Sequence, residues 1–217
     1  MPGLETLLLF LGAAILITLA PGPDNLMVIS LGMARGRNAG IAFGVGCGFG
    51  CLSHTLLATL GVSAAIAASP SAFTALRIAG GLYLIWIGWQ SLKPLFSKPS
   101  VETVDTGNRS LPSAFQQAGL PALFTRGLIA NAINPKVIVF FLAFLPQFVD
   151  PARSHPALQL AVFGVIFTIQ AALIFSVIGA LAGALGERLA RNHKIGLYLD
   201  RIAGLIFIGL GLRLLWL

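Results

Sequence analysis

The chain has 217 residues, 57% hydrophobic and only 10% charged, with a mean hydropathy of +0.90, whereas soluble domains carry about 25% charged residues. That composition excludes a soluble domain and points to an integral membrane protein. The net charge of +7 would suggest nucleic acid in a soluble protein, but these Lys and Arg cluster between apolar spans, where they mark cytoplasmic loops and meet anionic headgroups.

Met1-Pro2-Gly3-Leu4-Glu5 has no positive n-region, so a cleaved signal peptide is not expected. The first apolar run, residues 4–34, contains Pro21-Gly22-Pro23-Asp24-Asn25. Each proline lacks an N–H and collides with the preceding turn, so the helix must break and restart, with Asp24 or Asn25 expected to cap the new N-terminus. At about 1.5 Å per residue, Asp24 lies roughly 16 Å from Arg35, near the middle of a hydrocarbon layer about 30 Å thick. A carboxylate at that depth marks function.

Helix 2 is predicted over 39–67, helix 3 over 72–92, helix 4 over 122–149 with an interruption at Asn134-Pro135, helix 5 over 157–185 and helix 6 over 197–217. The polar loop 93–121 joins two halves of one membrane domain, 4–92 and 122–217. In helix 2, Gly40, Gly44 and Gly48 recur every four residues, as do Gly46 and Gly50. Such spacing lets membrane helices approach closely, inside the bundle or in a homodimer. In helix 4, Asn134-Pro135-Lys136 reads as a restart, with Asn as N-cap and Pro at the first helical position. Lys136 lies about 15 Å beyond Arg126 by helical rise, again near the midplane.

Ten Lys and Arg fall in or beside the loops after helices 1, 3 and 5, against Arg77, Arg153 and Arg213 on the other side. The positive-inside rule then puts those loops in the cytoplasm and both termini outside. Arg77-Ile78-Ala79-Gly80 matches Arg201-Ile202-Ala203-Gly204, and the two proline breaks correspond in order. The predicted fold is therefore all-α, six transmembrane helices in two inverted-topology repeats of three, the first helix of each repeat broken at proline.

The broken helices bring Asp24 and Lys136 to similar depth. The restarted half-helix at Asn134, strengthened by Lys136, suits a carboxylate, while Asp24 suits an ammonium group or a proton. Together they complement a zwitterionic amino acid. Alternatively the two ions pair with each other and cross-brace the halves. Pro21, Gly22, Pro23, Asp24, Asn25, Asn134, Pro135 and Lys136 are the candidate substrate-binding residues, with Gln170 and His54 as a second tier along the pathway.

These motifs, with Gly36-Arg37-Asn38-Ala39-Gly40, Phe124-Thr125-Arg126-Gly127, Phe140-Phe141 and Leu145-Pro146-Gln147-Phe148-Val149, resemble the LysE/RhtB family of bacterial amino-acid exporters over essentially the whole chain. The resemblance implies an inner-membrane carrier that expels amino acids or close derivatives in exchange for protons. It also implies the branch for neutral or hydroxylated substrates, of homoserine/threonine type, rather than the basic amino-acid branch.

Cys47, Cys51 and His54 share one face of helix 2 and suggest a rival, a soft-cation efflux carrier holding copper(I), zinc or cadmium; small cysteines also serve as plain packing residues. The two cysteines, four apart in one helix, are not expected to form a disulfide. An integral membrane enzyme is a further rival, but the sequence offers no paired carboxylates and no nucleophile beside a base. No cofactor is expected.

Overall fold

In lipid every backbone N–H and C=O must be satisfied within the protein, which leaves helices or closed barrels. The computed structural model describes residues 3–20, 22–62, 70–93, 111–150, 155–191 and 193–216, and among them there are helices and no strand. The elements are α1 (Leu4–Leu19), α2 (Pro23–Arg35), α3 (Arg37–Leu57), α4 (Pro70–Leu92), α5 (Ser113–Gln116), α6 (Leu120–Ala132), α7 (Pro135–Val139), α8 (Pro156–Arg191) and α9 (His193–Trp216). A π-helical turn, Ala58–Val62, extends α3; another, Phe140–Phe144, and a 3-10 turn, Leu145–Phe148, extend α7.

Among the described residues, Arg37–Gly61 and Pro156–Ala182 are long and apolar enough to cross a membrane as single helices. Two bent pairs qualify as single broken spans, α1 with α2 at 58° and α6 with Pro135–Phe148 at 52°. Four of the six expected spans are thus found by length and composition. The other two fall on α4 and α9, of 23 and 24 residues.

Helix α8 shows the pattern of a helix buried against protein on one side and lipid on the other. Leu160, Phe163, Phe167, Ala171 and Phe175 face the core, while Val165, Ile169, Leu173, Val177 and Leu181 are exposed. A helix apolar on both faces has no water-facing side. Its expected end at Leu185 is exceeded by six residues, to Arg191. Glu187-Arg188-Leu189-Ala190-Arg191 is made of strong helix formers, so nothing local stops it.

The helix directions follow from which residues meet. Gly40, Gly48 and Thr55 of α3 approach Gly179, Ala172 and Gly164 of α8, so this pair is antiparallel. Gly81 and Gly88 of α4 approach Gly211 and Gly204 of α9, another antiparallel pair. The reciprocal glycines are offset by one residue from the Arg-Ile-Ala-Gly match, since Gly80 instead meets Ala143. The helix 2 glycines pack inside the bundle. Gly40, Gly44 and Gly48 lie against α8, and Gly46 and Gly50 against α6. A Cβ at Gly48 would sit 2.6 Å from the Ala172 Cα, so no larger residue fits there without moving the backbone.

Between α2 and α3 the chain turns on a single residue, Gly36, with φ +84°. That left-handed conformation is open to glycine and strained for others. Beside the turn, the Arg35 guanidinium donates to the carbonyls of Phe115 (2.7 Å) and Ala118 (2.8 Å). The Phe115 ring lies beneath Arg126 at 4.9 Å and against Phe43 at 6.1 Å. These contacts fasten residues 111–119, the end of the expected polar loop, across the Arg-rich end of the bundle. The rest of that loop, 94–110, lies outside the described residues, as does Pro21.

Candidate functional site

Proline at position 21 has no N–H, so the Ile17 carbonyl four residues earlier loses its helical donor. The chain leaves the helix at Ala20, and the carbonyls of the last turn of α1 are orphaned with it. Inside a bilayer each such group costs several kcal/mol unless something satisfies it. Side chains from across the break do so. Asn25 Nδ2 donates to the Thr18 carbonyl at 2.9 Å. Lys136 Nζ donates to the carbonyls of Ile17 (3.2 Å) and Ala20 (2.9 Å).

The second break is met by the mirror-image chemistry. Asn134 is the N-cap of α7, its Oδ1 accepting from the Lys136 backbone N–H at 3.0 Å, with Pro135 at the first helical position. Asn134 Nδ2 donates to Asp24 Oδ2 at 2.9 Å, and Asn131 Nδ2 donates to the same oxygen at 2.8 Å. Asp24, Asn131, Asn134 and Lys136 are all buried, at 4%, 1%, 3% and 9% exposure. The site is closed in this state.

Three expectations are corrected by this geometry. Neither Asp24 nor Asn25 caps α2; Gly22 holds that position and Pro23 opens the helix. Asp24 is instead drawn to the amide N–H groups of the other break. Lys136 does not reinforce the α7 N-terminus, because an ammonium there would face the positive end of its own helix; it reaches the negative C-terminal end of α1. Nor do Asp24 and Lys136 form an ion pair with each other. The cross-bracing is real, but each ion is held by neutral groups of the opposite break.

Gly22 has a structural reason that its sequence context did not suggest. Its φ of −170° and ψ of 176° are extended and open to any residue. What a side chain here would meet is Lys136: a Cβ would lie 2.9 Å from its Nζ, so the ammonium would have to shift.

Asn131 was missed by the sequence reading. It is the hub of the site, donating to Asp24 while its Oδ1 takes Cys51 Sγ at 3.4 Å and its backbone carbonyl faces His54 Nε2 at 3.0 Å. Its signal was available, a second carboxamide in the same apolar span, one helical turn before Asn134. Through it His54 joins the site, with Nδ1 buried and without a partner. Gln170 joins from α8, its Nε2 donating to Thr18 Oγ1 at 2.9 Å while its Oε1 has no partner. The rival metal site does not assemble: among the described residues no three His, Cys, Asp or Glu side chains group closely enough to hold an ion. Cys51 spends its sulfur on Asn131 and on the Cys47 carbonyl.

From His54 a chain of ring contacts runs through Phe141 (5.6 Å), Phe140 (6.1 Å), Phe144 (5.1 Å) and Phe148 (5.2 Å). It ends at a cavity of about 180 Å³ lined by Thr6, Leu9, Phe144, Gln147, Phe148 and Arg213. A row of aromatic rings therefore runs from the polar site to the lining of this cavity.

Comparison with known proteins gives a consistent picture. A family model described as LysE type translocator matches residues 15–217. An uncharacterized membrane protein of Vibrio cholerae is 34% identical over 95% of each chain. Leucine efflux proteins of Klebsiella pneumoniae and Salmonella typhimurium are 26% and 27% identical, covering 98% and 94% of this chain and 95% and 92% of theirs. No solved structure matches.

Proposed function

The chain belongs to the LysE type translocator family, and from that premise we propose that it is a secondary carrier exporting amino acids or close derivatives across the bacterial cytoplasmic membrane. The substrate site is the polar layer where the two helix breaks meet, and the coupling ion is the proton. Asp24 and Lys136 carry the binding, with Asn25, Asn134 and the Pro21–Pro23 and Pro135 breaks shaping the chamber. The names of the leucine efflux relatives support a neutral amino acid as the substrate to try first.

One observation carries this reading. Two interrupted helices place one acid and one base in a single buried layer, each bonded to the other's break. Mid-membrane ions and broken helices mark substrate sites in carriers. The antiparallel pairing of α3 with α8 and α4 with α9 supports the inverted repeat of six spans. The ten-to-three distribution of Lys and Arg supports termini outside the cell.

The test is flux in vesicles reconstituted with the purified protein and loaded with radiolabelled leucine, threonine or homoserine. The carrier gives saturable efflux, counterflow on adding unlabelled substrate outside, and acceleration by an inward proton gradient. Flux that rises linearly with concentration describes a channel, and a chemically altered substrate describes an enzyme; either result rejects the proposal.

A further inference from the structure

In the closed state seen here, we propose, the Asp24 carboxylate and the Lys136 ammonium stand in the places that the substrate's own carboxylate and ammonium take. The Nδ2 groups of Asn131 and Asn134 form the carboxylate subsite. The carbonyls of Ile17 and Ala20 form the ammonium subsite. This rests on the carrier reading above and adds to it which neutral groups recognise the zwitterion.

The polarity of the four bonds is the argument. Two amide N–H donors converge on one carboxylate oxygen, at 2.8 and 2.9 Å. Two carbonyls converge on one ammonium, at 3.2 and 2.9 Å. Both pairs are fixed in advance. Asn134 is committed through Oδ1 to capping α7, which aims its Nδ2 at the chamber. Asn131 is held on its other atoms by Cys51 and His54. It is also pressed by the Gly50 backbone, where a Cβ would stand 2.8 Å from the Asn131 Cβ. Ile17 and Ala20 lie in a helical turn whose own donors the proline break removed.

A zwitterion can replace the protein's pair charge for charge. Its carboxylate takes the two amides and gains Lys136 as a counter-ion. Its ammonium takes the two carbonyls and gains Asp24. None of the groups in these four bonds is then left unpaired. A ligand with a single charge frees one protein ion without supplying its partner, and an unpaired buried ion is costly. The site therefore selects ligands carrying both charges and rejects amines or acids alone.

The experiment fills each vacated subsite with a small probe. In Lys136→Ala, propylammonium should raise the melting temperature saturably, while tetramethylammonium, which has no N–H, should not. In Asp24→Ala, formate should do so and chloride should not, and each probe should fail on the other variant. In the double variant, glycine should stabilise more than propylammonium or formate alone. Equal effects of propylammonium and tetramethylammonium, or of formate and chloride, overturn the proposal. Should the variants not fold, the wild type decides. There leucine should bind about tenfold or more tightly than isopentylamine or 4-methylpentanoate, since each lacks one charge-assisted set of bonds; equal binding of the three rejects the subsites. Amino-acid counterflow without these probe effects leaves the carrier standing and removes the mimicry. Probe effects without any amino-acid flux do the reverse.

Discussion

Replacing Gly22 by alanine isolates the Lys136 cradle from everything else in the site. The backbone at Gly22 is extended, so alanine fits its conformation and, by restricting the unfolded chain, would alone add about 0.4–1 kcal/mol of stability. Against that, the new Cβ would stand 2.9 Å from Lys136 Nζ and 3.5 Å from its Cε. The side chain is flexible, but its head is fixed by two bonds to Ile17 and Ala20, so making room means weakening at least one of them. A neutral bond between membrane helices contributes about 0.6 kcal/mol on average, and a charged one about 1.5–3 kcal/mol. The charged figure governs here, so Gly22→Ala should destabilise by about 1–2 kcal/mol net. In a Lys136→Met background the ammonium is absent and the same change should be neutral or slightly stabilising. Unfolding in mixed micelles of all four proteins gives the coupling, expected at about 2 kcal/mol. Equal effects of Gly22→Ala in both backgrounds would refute the claim that Lys136 is what a side chain there displaces.

Asp24→Asn should abolish counterflow while leaving the protein inserted, because the amide oxygen still accepts from Asn131 or Asn134 but the charge is gone; wild-type efflux rates in that variant would remove Asp24 from the mechanism. Asn131→Ala should cost about 1–3 kcal/mol in the same unfolding assay, since it strips the buried carboxylate of one of its two donors. A cost no larger than that of Ser176→Ala, whose hydroxyl bonds only within its own helix, would show that Asn131 is not a hub. Arg35→Ala should release the segment ending at Ala118, read as faster alkylation of a cysteine placed at Ser113. Unchanged alkylation would mean that the Phe115 ring packing, not the two guanidinium bonds, holds the segment.

Local chemistry made the interruptions legible. Proline removes an N–H wherever it stands, so the breaks at Pro21–Pro23 and Pro135 follow from the residues alone. So does the Asn134 cap, which reaches only two residues along the chain. The glycine ladder of helix 2 was readable as a packing surface, although which neighbour each face meets was not. The partners of the two ions were beyond local reading. Asp24 finds Asn131 107 residues away, and Lys136 finds Ile17 119 residues away. From the sequence, pairing of the two ions with each other is the alternative to their joint recognition of a zwitterion, because opposite charges attract. In the fold the orphaned carbonyls of α1 compete for the ammonium, and the proline that made the break visible is also what created those carbonyls. The π-helical turn at Phe140–Phe144 gave no sequence signal, since its residues suit an ordinary helix equally well.

The two breaks cannot be opened one at a time without cost. If α1 swings away from α7, Lys136 loses its acceptors and Ile17 and Ala20 lose their donor in the same step. If α2 moves off α6, Asp24 loses Asn131 and Asn134 together. Each motion breaks two charge-assisted bonds together, at about 1.5–3 kcal/mol each, so under the carrier proposal the empty protein resists opening on either side. Under the proposed mimicry a zwitterion removes that penalty, because its ammonium takes the abandoned carbonyls and pairs with Asp24 while its carboxylate takes the abandoned amides and pairs with Lys136. A ligand shifts a conformational equilibrium only by its differential affinity for the two states, and under the proposed mimicry the difference resides in these four bonds. On that proposal selectivity for an amino acid and permission to move arise from the same set of contacts, so a substitution that leaves the ions in place but removes one of their partners, such as Asn131→Ala, should loosen both at once.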